Sequence, residues 1–207
     1  MTRTTRPDEL PDIGDFSGLD GHRIVVVATG APGTAFLPSW VTWLPQVAPS
    51  AELRLVLTRS ARSFVGVAAL RAFTGDEPLI DSWDEAGSGP LHVELAQWAD
   101  GWLVHPATMH FVSRLAAGLC DSPAMLAMQG TRVPIVVAAS APPGFVHSPV
   151  WEGYLRAFEH RPNVQLLTPL AGISTHDSSL VGSPPAIFPH AAAALSTALT
   201  GAEVGAA

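Results

Sequence analysis

Residues 90–122, PLHVELAQWADGWLVHPATMHFVSRLAAGLCDS, decide how the rest of the chain is read. Gly101–Val104 is a short apolar run between Asp100 and Pro106, the pattern of a strand buried on both faces. Ahead of it, apolar residues recur at Val93, Leu95, Ala96 and Ala99, which predicts a helix over His92–Ala99 with His92 at its start. Behind it, Pro106-Ala107-Thr108 reads as a turn. Phe111, Leu115 and Leu119 then repeat every fourth residue in a helix with Gly118 in its last turn. Helix, strand, turn and helix in this rhythm belong to an α/β sheet, where ligands collect at strand ends. That places His105–His110 at a candidate site.

Toward the N-terminus, Arg23–Thr29 (RIVVVAT) is a β-branched run suited to a central parallel strand. It leads into Gly30-Ala31-Pro32-Gly33-Thr34 and a helix through Leu44. Glycines between a first strand and a helix let backbone amides approach an anion, helped by the helix dipole; the plainer reading is a tight turn. The spacing matches neither G-x-G-x-x-G nor G-x-x-x-x-G-K, so NAD and ATP are disfavoured. Leu53–Thr58 is a second strand. Ser60–Phe73 is read as one helix with Phe64 inward, capped by the hydroxyl of Thr58 or Ser60. Leu79-Ile80 is a short edge segment. Toward the C-terminus, Pro134–Ala138 and Val164–Leu167 are strands, and Glu152–Glu159 and Ala186–Leu199 are helices. The expected fold is a single doubly wound α/β domain with a parallel sheet, Rossmann-like or flavodoxin-like, over residues 22–200. Residues 1–21 read as a polar disordered arm, and 168–185 as a lid-like loop of small residues.

Hydrophobic residues make up 47% of the chain and charged ones 14%, so apolar surface is left for partner subunits. The net charge of -7 gives no electrostatic footprint for nucleic acid. No apolar run is long enough to span a bilayer and no signal peptide is recognisable, so a cytoplasmic, non-membrane protein is expected. The single cysteine, Cys120, rules out an intrachain disulfide and reads as a core thiol.

The same motifs resemble the homo-oligomeric flavin-containing cysteine decarboxylases, most nearly the lantibiotic-type peptidyl-cysteine branch. That family carries HIxLxxxAD, PASANT, GIxDxLL and, from the end of the second strand into the helix after it, T-x-S-A-x-x-F. Here these read HVELAQWAD, PATMHF, GLCDSPA and TRSARSF. The resemblance implies FMN as cofactor, with contacts from Gly30, Gly33, Thr34, Thr58, Ser60, Phe64, Pro106, Ala107 and Thr108. It also implies His92 as the base that takes the thiol proton, and a trimer, or a dodecamer built of four trimers, as the assembly. The substrate would be the C-terminal cysteine of a ribosomally made precursor peptide. Oxidation of its Cβ–S unit provides the electron sink for loss of CO₂, and an enethiol remains for ring formation.

Two asparagines of the family are histidines here. His110 stands in PASANT, and His147 in the PxMNxxMW segment, which reads GFVHSPVW. His110, His147 and His176, the last in the expected lid, are the candidate substrate contacts. An imidazole still donates to a carboxylate. The phosphopantothenoylcysteine branch keeps a cysteine in the lid, and this chain has none there, which favours the peptide branch. No metal site is expected, because only His105 and His110 stand close in sequence. Two other classes are weighed: a non-catalytic binding or regulatory subunit of the same fold, and another flavin enzyme of this fold, such as a flavin prenyltransferase.

Overall fold

A computed structural model describes residues 14–85, 89–170, 172–173 and 181–206. Strand β1 (Arg23–Ala28) forms the middle of the main sheet. It pairs in parallel with β2 (Glu52–Leu57) on one side and β4 (Gly101–Thr108) on the other. With β3 (Leu79–Ile80), β5 (Ile135–Ser140) and β6 (Val164–Leu167), the six-stranded sheet has the order β3-β2-β1-β4-β5-β6. All its pairings are parallel. The chain winds outward one way from β1 and then the other, as expected for a doubly wound domain.

The β-branched run of β1 faces a core on each side. Ile24, Val26 and Leu103 join Leu37, Val41 and Leu44 of α1 (Leu37–Val47) and Phe188 and Leu195 of α7 (Phe188–Ala206). Val25, Val27, Trp102 and Val104 meet α3 (Leu91–Trp98), α4 (Met109–Ala116), α5 (Pro123–Gly130) and α6 (Pro149–Glu159). Alternate residues of one strand therefore serve opposite layers. Each fully buried branched side chain contributes about 1.5–3 kcal/mol relative to exposure, so the centre of the sheet is the stable part of the molecule.

Several local expectations are corrected. Pro106–Thr108 is no turn: β4 runs on to Thr108, with a register shift against β5 between Val104 and Ala107. The physical reason lies in Thr29, whose hydroxyl donates to the Pro106 carbonyl at 2.6 Å and accepts the Thr108 amide at 2.9 Å. A proline has no amide to give the ladder, and the threonine side chain completes the strand instead. The helices after β1 and β2 are each broken. Short 3-10 turns over Pro32–Phe36 and Arg59–Ser63 precede α1 and α2 (Val67–Thr74). Gly66 has extended backbone at φ -77°, ψ 129° and separates the second turn from α2. Leu119 lies beyond α4 and is exposed. Cys120 is also exposed, not a core thiol.

Order begins before His22. Phe16 and Leu19 are buried, and the 3-10 turn Ser17–Leu19 packs on α7. The Gly18 amide donates to Ser196 at 3.0 Å, and a Cβ on Gly18 would lie 2.4 Å from the Ser196 carbonyl. Only glycine allows that approach. Residues 1–13 lie outside the described part. Of the expected lid, β7 (Gly172–Ile173) pairs antiparallel with β8 (Val181–Gly182), and Ser183 bridges to Ala141 at the exit of β5. His176 lies outside the described residues.

Candidate functional site

The strand order reverses at β1 and β4, so the crevice beyond their C-terminal ends is where a doubly wound sheet takes a ligand. A cleft of about 380 Å³ opens beside it, lined by Thr29, Thr58, Ser60 and Thr108 together with Asp81, Trp83, His110 and Arg114. Thr58 caps its 3-10 turn, its hydroxyl accepting the Ala61 amide at 3.3 Å, and lies 3.2 Å from the Ser60 hydroxyl. Thr108 caps α4 by accepting the Phe111 amide at 3.4 Å. The first amides of each turn have no acceptor within their own helix and face the anion-binding end of the dipole.

Gly30 is a steric requirement here. A Cβ at that position would fall 2.5 Å from the Ser60 hydroxyl oxygen, so only glycine lets the β1 exit lie against the β2 exit. Gly33 is roomier, with a hypothetical Cβ 3.6 Å from Pro106 Cγ. Thr34 is fully buried and donates its hydroxyl to the Thr29 carbonyl at 2.6 Å, so it braces the loop from inside. Pro106 and Ala107 are buried beneath the cleft, and Phe64 is exposed. The sequence expectation therefore gathers unlike roles: Thr58, Ser60 and Thr108 line the cleft, whereas Thr34, Pro106 and Ala107 support it.

The far wall is charged. Arg59 pairs with Asp84 at 2.6 Å and Glu85 at 3.2 Å, and Arg62 with Glu85 at 2.8 Å. Arg114 forks onto the Asp121 carboxylate and holds it below the usual carboxylate range. Asp81, at the end of β3, is buried. Its carboxylate accepts the Ala124 amide at 2.8 Å and the Ser122 hydroxyl at 2.7 Å. Burial raises its pKa, and these two hydrogen bonds pull the other way. Thr29, Arg59, Asp81, Trp83 and Arg114 were not anticipated. Of these only Thr29, last residue of the β-branched run before Gly30, carried a sequence signal.

The histidines separate by environment. His105 is buried and donates Nε2–H to the Ala186 carbonyl at 2.9 Å, against the edge of Phe188. Desolvation pushes its pKa down to about 4, so it is a neutral brace at the start of α7. His110 is exposed on the first turn of α4 and lines the cleft. His147 is exposed in the 3-10 turn Phe145–His147 beyond β5, outside that cleft's lining. His92 sits in the first turn of α3, its Nδ1 enclosed with no hydrogen-bond partner among the described residues and its ring 5.6 Å from that of Trp83. Among the described residues no group of three or more His, Cys, Asp or Glu is placed to hold a metal ion.

Comparison with known proteins places the chain. The profile of the Flavoprotein family matches residues 17–178. The chain belongs to that family. Cypemycin cysteine dehydrogenase (decarboxylating) of Streptomyces sp. is 31% identical over 163 residues, 78% of this chain and 83% of the relative. A coenzyme A biosynthesis bifunctional protein, CoaBC of Haemophilus influenzae, is 30% identical over 157 residues but is matched over only 38% of its own length. Among solved structures, the cypemycin decarboxylase CypD superposes with a TM-score of 0.71 at 29% identity, over 89% of this chain and 97% of its own. The FMN-dependent cysteine decarboxylase SpaF does so with a TM-score of 0.74 at 25% identity, over 89% of this chain and 99% of its own. Among the described residues no helix is long and apolar enough to cross a membrane.

Proposed function

We propose that this Flavoprotein-family chain is an FMN-dependent cysteine decarboxylase acting on the C-terminal cysteine of a peptide. The observation that carries the reading is the donor set at the β1/β4 crevice, in a chain this similar to a cysteine-decarboxylating enzyme. Hydroxyls of Thr58, Ser60 and Thr108 and the first-turn amides beside them suit a phosphate. Thr58, Ser60 and the Gly30 loop would hold the FMN phosphate, and Thr108 would face the rest of the group. Bound FMN supplies the two-electron oxidation that makes decarboxylation feasible.

The chain's own residues manage protons and charge. A cysteine thiol has an ordinary pKa near 8.5, so a base speeds its loss of a proton, and His92 takes that part. The carboxylate that leaves as CO₂ is oriented by His110 and His147, with His176 and the 168–185 segment closing over the peptide. The enethiol product becomes available for ring formation. Exposed Phe36, Phe64 and Val150 support assembly through apolar faces, with a trimer as the minimal unit.

The test is direct. Flavin-loaded protein incubated with a synthetic peptide ending in cysteine should yield a product lighter by CO₂ and two hydrogens. His92→Asn should keep its flavin and lose about 10²–10⁴-fold in rate, the usual contribution of a positioned base. Full turnover by that variant refutes the assignment of the base. A wild type that binds FMN and turns over no cysteine peptide refutes the decarboxylase reading and favours a binding subunit, which the two histidine-for-asparagine replacements would then explain.

A further inference from the structure

A histidine that serves as a base is ordinarily oriented by a hydrogen bond from its second ring nitrogen to a carboxylate or carbonyl, and that bond also selects the tautomer. His92 lacks one. Its Nδ1 is enclosed, yet among the described residues no hydrogen-bond partner meets it. What does meet the ring is Trp83, with centroids 5.6 Å apart and planes inclined at 67°, an edge-to-face arrangement. Trp83 is not a loose neighbour. Its indole Nε1–H donates to the Asp121 carbonyl at 3.0 Å, and Arg114 grips the Asp121 side chain while also donating to Ser122 at 3.0 Å. The indole is therefore fixed by α4 and the segment that follows it, independently of the helix that carries His92.

We infer that Trp83 is the positioning residue for His92, its indole face standing in for the missing acceptor. The inference rests on the reading of His92 as the base. An aromatic face carries partial negative charge and accepts an N–H edge-on. With Nδ1–H directed at the indole, the Nε2 lone pair is the one left free to take the thiol proton. The imidazolium formed by that transfer keeps both N–H groups and gains from the same ring face. Trp83 touches neither thiol nor carboxylate in this scheme and acts through His92 alone.

Two measurements on the flavin-loaded protein test it. Nitrogen-15 spectra of labelled histidine near pH 8, where an ordinary imidazole is neutral, should show His92 as a single Nδ1–H tautomer, with assignment from its loss in His92→Asn. Trp83→Leu should turn this into a tautomer mixture and lower kcat about 10- to 100-fold, the scale of a misplaced reacting group, with KM and flavin content unchanged. Trp83→Phe keeps an aromatic face without the indole N–H and should preserve the tautomer. An Nε2–H tautomer in the wild type overturns the inference, as does a Trp83→Leu variant with unaltered tautomer or kcat. Parallel loss of kcat and flavin also overturns it, because that would mark a purely structural role. If the wild type turns over no peptide, the decarboxylase reading fails while the tautomer comparison still decides the contact.

Discussion

The exits of β2 and β4 start alike and end differently. Thr58 and Thr108 adopt nearly the same backbone, φ -65°, ψ 157° and φ -66°, ψ 156°, and each hydroxyl accepts the amide three residues on. After Thr108 the chain enters α4, which buries Phe111, Val112 and Leu115, and Thr108's own amide is held by the buried Thr29 hydroxyl. After Thr58 only a 3-10 turn forms, with Ala61 its sole buried residue. Beside it, ion pairs from Arg59 and Arg62 face solvent, a class that contributes about 0–1 kcal/mol each. A hydroxyl cap sets one turn; the burial that follows decides how rigid a wall the exit becomes. In the proposed site, the adaptable exit meets the phosphate and the rigid one meets the chemistry.

Removing the buried hub should break this contrast with the largest effect. Thr29→Val leaves the Pro106 carbonyl and the Thr108 amide without their partner, at a cost of about 2–5 kcal/mol for two unsatisfied buried groups. Urea unfolding reads the loss, and one below about 1 kcal/mol would mean that the β4 exit does not depend on it. The next effect comes from acid. His105 has a folded pKa of about 4 against an ordinary 6.5, so between those values the unfolded chain binds the extra proton. Its contribution is intact above pH 6.5 and is lost as the pH falls toward 4, in total about 3 kcal/mol. Denaturant midpoints for wild type and His105→Gln across that range should differ in slope, and equal slopes would count against a neutral buried imidazole.

At the adaptable exit, Gly30→Ala puts a Cβ 2.5 Å from the Ser60 oxygen and forces the two exits apart. FMN affinity should fall about 10-fold, equivalent to 1.4 kcal/mol. Gly33→Ala, whose Cβ meets nothing closer than 3.6 Å, should leave affinity nearly unchanged. Flavin fluorescence titration separates the two; equal losses would remove Gly30's special place. The smallest effects sharpen the comparison of the caps. Thr108→Ala should cost about 1–2 kcal/mol of stability and Thr58→Ala about 0.5 kcal/mol, since the second caps a turn that buries little.

The sequence carried the sheet well because β1, β5 and the start of β4 are apolar runs buried on both faces. No competing local preference disguised them. It failed where one residue's geometry depends on another far along the chain. Pro106 read as a turn because proline breaks a ladder, and the Thr29 hydroxyl that repairs the ladder lies 77 residues away. Phe16 and Leu19 were lost among charged neighbours, although their three-residue spacing fits the turn that docks on α7. In the site, Gly30, Thr58 and Ser60 stand out because turn and cap chemistry is local, whereas Thr108 enters only through the resemblance of PATMHF to the family motif. Trp83, Arg114 and Asp81 do not stand out, because their roles are assigned by contacts between elements.

Asp81 shows how far such an assignment reaches. Ser122, the N-cap residue of α5, makes no side-chain cap to its own helix. The acceptor for the Ala124 amide is instead this carboxylate, on the residue that follows a two-residue edge strand, 43 positions earlier. In the language of hydrogen exchange, the amide of Ala124 has no separate opening of its own. It meets solvent when the β3 edge lets go, so its deuterium uptake measures the breathing of the cleft's outer wall. A ligand that seats against that wall should slow exchange at Ala124, on a helix that borders the cleft only through its cap.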